Sequence, residues 1–467
     1  NVPIYATRMS AGLIKLKLEE HKLANKAKLI TCEAGETVKV GRFMVEFIHI
    51  NHSIADACAI SIRTPVGTVF HTGDFKIDVS PIDDQMIDLT RIGEIGKEGV
   101  KLLLCESTNA ERAGFTPSER AVGSSLERIF AQYEDRRLII ATFSSNVHRV
   151  QQIINTSYRH GRKVAITGRS MLNIVSAARE LGYMTVPDGV IVELAEIKKY
   201  KPEQLTLVTT GSQGEPMSAL YRMAFSDHSQ ITLGQSDLVV LSASAIPGNE
   251  KAVSRIINEL YRKGAEVVYE KSEGLHVSGH ACQEELKIIH ALCKPKFFIP
   301  VHGEQRHLQL HGKLAVAMGV SPKNVRIGEI GSVFEFTGKT CKENGTVPAG
   351  KVFVDGTGVG DVGSVVLRDR KHLAQDGMIV VCINISAQDG GLISGPDIIT
   401  RGFIYVKESE ELMEELRCVV LEAIDRCSRR RIRDYATLKS AIKNDLSGYL
   451  FKTTKRNPMI LPVIMEV

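Results

Sequence analysis

Residues 276–280 read HVSGH and place two histidines four positions apart, directly before a segment with the apolar spacing of a helix, ACQEELKIIHALC. Histidines at this spacing would share one face of a helix and could bind a metal ion there. Gly279, however, disfavours a continuous helix through the stretch. We therefore expect a turn that leads into a helix, and not a helical H-x-x-x-H zinc site.

Three further polar residues each follow an apolar run that is typical of a buried strand: His52 in INHSIADA, Asp74 in FHTGDFK and His302 in FFIPVHGE. Each side chain would lie where a strand ends and a loop begins. Neutral imidazole and carboxylate groups are suitable ligands for Zn²⁺, and one carboxylate can bridge two ions. A single residue of this kind is more often structural, but the three together indicate a metal site.

The elements around these residues change in character along the chain. Residues 1–105 alternate strand-like pieces with short turns, which predicts a β-rich layer. From about residue 136, apolar strands precede loops of Gly, Ser and Asn and then helical patterns, as in RLIIATFSSN before VHRVQQIINTSYRHG, which predicts a parallel sheet of βαβ units. Loops at the carboxyl ends of such strands suit a phosphate-bearing ligand, although their Ser and Asn can equally be plain helix caps.

The composition is that of an ordinary globular protein, with 467 residues, 43% of them hydrophobic and 24% charged. The nine cysteines are scattered without a C-x-x-C pair, which favours buried thiols in a reducing cytoplasm over a disulfide scaffold or a cysteine zinc knuckle. A net charge of +5 permits a polyanionic partner without requiring one. The sequence has no apolar run near 18 residues, so we expect no membrane span.

Eight short motifs follow one another along the chain: NHSIADA, HTGDF, CESTN, TFSSNVHR, GRSM, TGSQGEPMSAL, HVSGHACQEE and PVHGE. In these motifs the chain resembles the metallo-β-lactamase/β-CASP nucleases. The runs GSQGEPMSAL and RDRKHLAQDGMIVV are similar to the bacterial ribonuclease J branch of that group. The resemblance extends from Asn1 to the closing KRNPMILPVIMEV and so covers the whole sequence.

The fold that this resemblance implies is α/β. It is a metallo-β-lactamase αββα sandwich, incomplete at its N-terminus, with an inserted β-CASP parallel α/β domain and a small C-terminal α/β domain. We expect the first part of the metallo-β-lactamase domain at 1–118, the β-CASP domain at 119–287, the return segment and linker at 288–360, and the C-terminal domain at 361–467. In the last domain, GMIVVCINIS predicts a strand and SEELMEELRCVVLEAIDRCSRRRIRDY an amphipathic helix.

The activity that the resemblance implies is 5′-to-3′ exonuclease action on RNA with a 5′-monophosphate, together with endonuclease action, in mRNA decay and rRNA maturation. Two zinc ions are the implied cofactors. The implied partners are RNA, a second copy of the chain or a higher homo-oligomer formed through the C-terminal domain, and a paralogous subunit or RNA decay complex. Five arginines of the C-terminal helix could contact RNA, although a solvated helix end with cations that complement the helix dipole explains any single one better: Arg426, Arg429, Arg430, Arg431 and Arg433.

The resemblance also implies roles for individual residues. His52, Asp74 and His302 match metal ligands, with Asp74 as the bridge between the ions. Glu106 in CESTN matches an acidic residue that orients a histidine, and His280 would lie beside the scissile phosphate, where it could protonate the leaving 3′-oxygen. A plainer alternative is that His280 caps the following helix and His276 lies at the surface. The residues that match a substrate phosphate pocket are Ser145, Asn146, Val147, His276, Val277, Ser278, Gly279 and His280.

One feature of the nuclease family is missing from the sequence. The family has an H-x-H-x-D-H motif that supplies most ligands of both ions, and no such string occurs here. Residues 1–6 resemble the strand that follows that motif, so we expect an N-terminal truncation and not an inactive paralogue, because the later ligands are present. We expect the 467 residues alone to bind zinc weakly and to lack nuclease activity, since zinc sites need three or four ligands.

Two other functions are compatible with the motifs. A β-CASP enzyme that acts on DNA would use the same metal and phosphate chemistry, because nothing in these motifs contacts a 2′-hydroxyl directly. A non-catalytic RNA-binding subunit of a decay complex is the alternative from another class. An intact H-x-H-x-D-H string in the upstream coding sequence would favour an enzyme, and a degenerate string would favour the partner subunit.

Overall fold

The computed structural model describes residues 2–269, 274–360, 363–387, 391–404, 410–430, 432 and 434–467. The chain divides into two units, Asn1–Pro348 and Ala349–Val467. The first unit contains two six-stranded sheets and two small two-stranded sheets, and the second contains a three-stranded sheet and a two-stranded one. Each unit has its own apolar core.

The first unit begins with strands and continues with alternating strands and helices. Its strands are β1 (Ile4–Thr7), β2 (Leu29–Cys32), β3 (Thr37–Val40), β4 (Phe43–His49), β5 (Cys58–Thr64), β6 (Gly67–His71), β7 (Val100–Glu106), β8 (Arg137–Ala141), β9 (Lys163–Thr167), β10 (Ile191–Val192), β11 (Leu205–Thr209), β12 (Asp237–Leu241), β13 (Glu266–Val268), β14 (Phe297–Val301), β15 (Ser332–Phe336) and β16 (Cys341–Thr346). Its α-helices are α1 (Arg8–Glu20), α2 (Leu89–Glu98), α3 (Arg120–Gln132), α4 (Val147–Arg159), α5 (Arg169–Glu180), α6 (Ala219–Ala224), α7 (Glu250–Arg262), α8 (Gln283–Cys293) and α9 (Gln305–Ala317).

The first large sheet has the strand order β14-β7-β6-β5-β4-β3. Strand β7 lies parallel to both β6 and β14, whereas β3, β4, β5 and β6 form an antiparallel run. The carboxyl ends of β4, β6, β7 and β14 therefore meet at one edge of the sheet. Polar residues that follow these four strands must lie close together, and this edge positions the candidate site.

The second large sheet has the order β10-β9-β11-β8-β12-β13, and every pair in it is parallel. Its strands are apolar on both faces, as expected for a parallel sheet covered by helices. In β8, for example, Leu138 and Ile140 pack in the core that contains α3, α4 and α5, whereas Ile139 and Ala141 pack in the core that contains α6 and α7. The predicted run of βαβ units is confirmed.

A buried carboxylate connects three segments of the first unit. Helix α8 begins with a capping arrangement in which Glu285 accepts a hydrogen bond from the backbone N–H of Cys282 at 2.7 Å. The same carboxylate, which is fully buried, also accepts from the N–H groups of Ile77 and Thr116, both at 2.7 Å. Because it binds segments about 170 and 210 residues away, Glu285 fixes the start of α8 beside the strand ends of the first sheet.

The second unit is built on a sheet with the order β20-β19-β21. Its strands are β17 (Val354–Asp355), β18 (Gly358–Val359), β19 (Met378–Ile385), β20 (Leu392–Arg401) and β21 (Met459–Glu466), and its helices are α10 (Ser364–Asp376), α11 (Glu410–Arg429) and α12 (Tyr435–Thr454). The predicted strand and helix correspond to β19 and α11. Alternate residues of β19 pack against apolar residues of α11 and α12.

The arginines near the end of α11 have nearby acidic partners. Arg426 forms an ion pair with Asp445 on α12, and Arg429 pairs with Asp425 one turn earlier. The predicted RNA contacts at Arg431 and Arg433 lie outside the described residues. Across the part of the chain that the structure describes, no helix combines the length and the apolar character needed to cross a membrane.

Candidate metal and phosphate site

Three side chains at the shared strand edge form a potential metal site. Asp74 follows β6, His302 follows β14, and His280 lies in the turn before α8; their potential ligand atoms all lie within 4.8 Å of one another. The Nε2 atom of His302 is 3.5 Å from a carboxylate oxygen of Asp74. His302 has a left-handed backbone, with φ of 54°, a conformation that costs energy and is common at functional sites. Two imidazoles and a carboxylate fit Zn²⁺.

His280 is held by Glu106, the last residue of β7. Its Nδ1 atom is 3.2 Å from a carboxylate oxygen of Glu106, which is completely buried. Burial opposes the protonated ring, but the hydrogen bond and charge of Glu106 outweigh burial, so the pKa of His280 is raised above its ordinary value. With Nδ1 engaged by a carboxylate, Nε2 remains for a metal ion or for proton transfer.

Glu106 is fixed in place by the backbone around it. Its carboxylate accepts hydrogen bonds from the N–H groups of Phe75 and Ala281, both at 3.3 Å, and of Thr108 at 3.1 Å. One of these amides follows Asp74, and another follows His280. Glu106 therefore holds the ring of His280 and also connects the two loops that provide Asp74 and His280.

His52 lies beside this group without belonging to it. Its ring centroid is 5.0 Å from that of His280, and its Nδ1 atom donates a hydrogen bond to the carbonyl of Gly279 at 2.8 Å. Burial is the main reason that the pKa of His52 is lowered, so the neutral ring is favoured. Among the described residues, the cluster of potential ligands contains His280 where the sequence suggested His52.

The turn at 276–280 explains why glycine stands at position 279. A Cβ atom added to Gly279 would lie 2.7 Å from two atoms of the His52 ring, closer than real contacts allow. Side chains from other loops hold the turn: Asn109 donates to the Ser278 hydroxyl and to the His280 carbonyl, both at 2.9 Å, and the Thr116 hydroxyl donates to the same carbonyl at 2.7 Å. As expected, the segment is not helical, and α8 begins after it.

The predicted phosphate loop at 145–147 lies in the connection between β8 and α4 and includes the first residue of α4. The side chain of Asn146 accepts a hydrogen bond from the N–H of Arg149 at 3.0 Å, so it caps the helix. Asn146 and Val147 are buried, whereas Ser145 is half-buried. Asn146 also lines a cleft together with His52, Asp83 and His148. The structure thus places one part of the phosphate loop and one metal-ligand candidate on the same cleft.

Several residues that hold the site together were missed by sequence reasoning. Asn109 and Thr116 support the turn, Glu285 fixes the start of α8, and Arg149 is completely buried behind the turn. Asn109 belongs to the motif CESTN and could have been noticed there. For the other three, no local pattern in the sequence distinguishes them from ordinary loop or helix residues.

Comparisons with known proteins agree with this architecture. Residues 135–260 match the family model of the ribonuclease J β-CASP domain, residues 264–327 match that of a Zn-dependent metallo-hydrolase RNA specificity domain, and residues 365–467 match that of the ribonuclease J C-terminal domain. These matches confirm the predicted α/β fold with its β-CASP and C-terminal parts. They also support zinc as the metal for the cluster at the strand edge.

Relatives that match over the whole chain indicate the same family. The chain is 40% identical to ribonuclease J2 of Bacillus subtilis over 467 residues, which is 100% of this chain and 84% of that protein. It is 42% identical to ribonuclease J of Thermus thermophilus over 467 residues, covering 100% of this chain and 80% of the relative. It is also 39% identical to ribonuclease J 1 of Streptococcus pyogenes, covering 100% and 83% of the two chains. The chain therefore belongs to the ribonuclease J family.

Proposed function

We propose that this protein is a zinc-dependent ribonuclease that degrades RNA from 5′-monophosphate ends and also cleaves internally, in mRNA decay and rRNA maturation. The observation that supports the proposal best is the cluster of Asp74, His280 and His302, whose potential ligand atoms lie within 4.8 Å at the strand edge. A cleft lined by His52 and Asn146 supports a phosphate loop near this cluster, because the ring centroid of His52 is 5.0 Å from that of His280. A metal group beside a phosphate loop suits phosphodiester hydrolysis.

Two zinc ions would be held by His52, Asp74 and His302, with Asp74 as the shared ligand. The hydrogen bond between His52 Nδ1 and the Gly279 carbonyl supports the ligand role of His52, because metal-bound histidines usually donate their second nitrogen in this way. When bound, zinc neutralises phosphate charge and lowers the pKa of a bound water. The donor set of this chain is chemically suited to that role.

His280 would transfer the proton in the reaction. Its Nδ1 atom is held by Glu106 and its raised pKa favours the protonated ring, so Nε2–H can be given to the leaving 3′-oxygen. Its membership of the Asp74–His302 cluster is equally compatible with direct metal binding. Metal content in a His280 variant separates these two roles.

The 5′-phosphate would bind between the 145–147 loop and the 276–280 turn. Ser145 is the half-buried member of the first loop and is therefore the position to block. We expect 5′-monophosphate RNA to be digested much faster than 5′-triphosphate RNA, because the proposed pocket would bind a single phosphate. Ser145→Leu should abolish this preference and spare internal cleavage. Unchanged discrimination in Ser145→Leu would contradict the pocket assignment.

Matched 5′-phosphorylated RNA and DNA strands test the substrate class. Faster cleavage of RNA supports the proposal, and equal cleavage of both favours a nuclease without sugar selectivity. The domain boundaries at 118, 287 and 360, oligomer formation through the C-terminal domain and a partner in a decay complex belong to the same proposal. A cytoplasmic location is supported by the nine free cysteines.

A further inference from the structure

The segment 302–304 connects β14 to α9 and contains the potential metal ligand His302 in a strained backbone. Two consecutive residues have positive φ, 54° at His302 and 138° at Gly303. For a residue other than glycine this conformation costs energy, and it persists only where the surrounding structure enforces it. The contacts on either side of His302 therefore decide whether its imidazole faces Asp74.

The two ends of this segment are held by different kinds of group. On the side of β14, the carbonyl of His302 accepts a hydrogen bond from the backbone N–H of Ser107 at 3.0 Å. On the side of α9, the backbone N–H of Glu304 donates to Nδ1 of His307 at 3.1 Å. The first bond joins two backbone groups, whereas the second depends on one side chain. His307 is therefore the position at which a substitution can release the segment.

The buried ring of His307 packs directly against the strained residues. A Cβ atom added to Gly303 would lie 3.1 Å from Cβ of His307 and 3.2 Å from its Nδ1 atom, so glycine permits this close approach. Nδ1 is the acceptor in the contact with the segment, because a backbone N–H can only donate. The other ring nitrogen, Nε2, is 3.6 Å from a carboxylate oxygen of Glu111. The ring thus lies between the segment and Glu111, with one nitrogen facing each.

We propose that His307 is a positioning residue for metal binding: through the Glu304 amide it holds the 302–304 segment in the left-handed conformation that directs His302 towards Asp74. In this conformation Nε2 of His302 lies 3.5 Å from the Asp74 carboxylate. The inference rests on the proposed function, because His302 is assigned there as a zinc ligand. An alternative is that His307 only stabilises the first turn of α9, as the third residue of a capping box does. The two alternatives predict different zinc affinities when the acceptor is removed.

Two substitutions of His307 separate the acceptor from the rest of the side chain. Leucine fills a similar space without an acceptor, so His307→Leu leaves the Glu304 amide unpaired. Glutamine at this position of a capping box accepts from the same amide, so His307→Gln should restore the contact. Ala315→Gly is the matched control. Ala315 is completely buried further along α9, and glycine there destabilises the helix although the Ala315 methyl group makes none of the hydrogen bonds of the segment.

The first test is hydrogen–deuterium exchange of the Glu304 amide in the metal-free protein, resolved by mass spectrometry. We expect this amide to be protected in the unsubstituted protein, in His307→Gln and in Ala315→Gly. In His307→Leu it should exchange about tenfold faster, the effect of one lost hydrogen bond. Equal exchange in His307→Leu and the unsubstituted protein overturns the inference. An unprotected Glu304 amide in the unsubstituted protein also overturns it, even if His307→Leu fails to fold.

The second test measures the zinc dissociation constant by competition with a chromophoric chelator. In His307→Leu the zinc affinity should fall about 10- to 100-fold, the range seen when residues that orient metal ligands are changed. His307→Gln should recover most of this affinity, and Ala315→Gly should keep it while its melting temperature falls. Unchanged zinc affinity in His307→Leu, or an equal loss in Ala315→Gly, overturns the inference. Absence of zinc binding by the unsubstituted protein contradicts the proposed function instead, and the exchange of the Glu304 amide is still decisive for His307.

Discussion

Two groups of histidines in the first unit differ in what surrounds them. His52, His280 and His302 lie at the strand edge, with the carboxylates of Asp74 and Glu106 beside them. His290 on α8 and His311 on α9 are buried, with their Nε2 atoms 3.2 Å apart. The first group has partners that favour charge or metal binding. The second has aromatic contacts with Phe298, whose ring centroid is 4.7 and 4.8 Å from those of the two histidines.

The difference shows that a carboxylate partner decides what a buried histidine can do. Burial alone lowers the pKa of His290 to about 4. Burial and then the neighbouring His290 place the pKa of His311 well below its ordinary value. His280 is also largely buried, yet Glu106 reverses the direction and raises its pKa. Two histidines near each other are therefore a site only where a carboxylate or a metal compensates for lost water.

The largest expected effect is loss of the metal. His302→Ala and Asp74→Ala should each lower bound zinc and reduce RNA cleavage by at least about 10⁴-fold, because the metal supplies both the nucleophile and charge neutralisation, each worth several kcal/mol. Metal analysis and RNA cleavage assays on each variant measure both effects. His290→Phe is the control from the buried pair and should retain its zinc, because His290 packs beside Phe298 and His311 and not against the strand-edge residues. Normal zinc content in both ligand variants would contradict the site.

A smaller effect is expected at His280. Replacement by alanine should lower kcat by about 10²–10⁴-fold, as for a lost acid/base group, and leave zinc content unchanged. Paired measurements of kcat and zinc in His280→Ala and His302→Ala sharpen the comparison within the strand-edge group. If His280→Ala loses zinc and His302→Ala keeps it, the roles of the two residues are exchanged.

A still smaller loss of activity is expected at Glu106, the carboxylate that distinguishes the two groups of histidines. Glu106→Gln keeps the size of the side chain and removes its charge, so it should lower activity by about 10- to 100-fold, the range seen when partners of metal-site histidines are changed. Thermal unfolding of the variant checks that the three backbone hydrogen bonds to this residue survive. Full activity in a folded Glu106→Gln protein would show that the carboxylate is not what sets His280 apart from His290.

The smallest effect on activity is expected for the buried pair. His290→Phe should leave cleavage within about twofold, because the ring packs beside Phe298 and contacts no site residue in the described structure. Its effect is on stability: since the pKa of His290 is about 4 when folded and about 6.5 when unfolded, protonation favours the unfolded chain.

The contribution of the neutral His290 ring to the free energy of unfolding is therefore at its full value above pH 6.5. It decreases as the pH falls towards 4, by about 3 kcal/mol in total. Denaturant titrations at several pH values should show a shallower decline in His290→Phe. Identical pH dependence in the two proteins would mean that His290 is not held neutral in the native state.

Strand ends were the part of the site that the sequence could predict. Asp74 and His302 follow apolar runs, which predicts that each lies at the end of a strand. That β6 and β14 flank β7 in the same direction, which brings the two residues together, is seen only in the strand order. The position of His280 could not be predicted from strand ends in this way. Its turn is positioned by Asn109 and Thr116, which are more than 160 residues away in the sequence, and no local pattern records such contacts.

Arg149 shows the same limit inside a helix. In VHRVQQII, a charged residue is expected on the solvent-exposed face of an amphipathic helix. It is nevertheless fully buried, because Glu119, the Ser242 carbonyl and the turn at 276–277 use all its donors. The capping role of Asn146, by contrast, is what its residue type favours at a helix start.

The strand order of the first large sheet has a consequence for how the protein is made. Strand β14 pairs with β7, and residues 107–296, which include the whole parallel β-CASP sheet, are synthesised between them. At about 5–20 residues per second, the ribosome needs roughly 10–40 s to add this insert. During that time β7 pairs only with β6 and is the edge strand of the sheet, which invites association with other nascent chains. The His302 loop and the turn fixed by Glu285 can join the site only at the end of this interval, so nuclease activity cannot arise while the β-CASP part is still being translated.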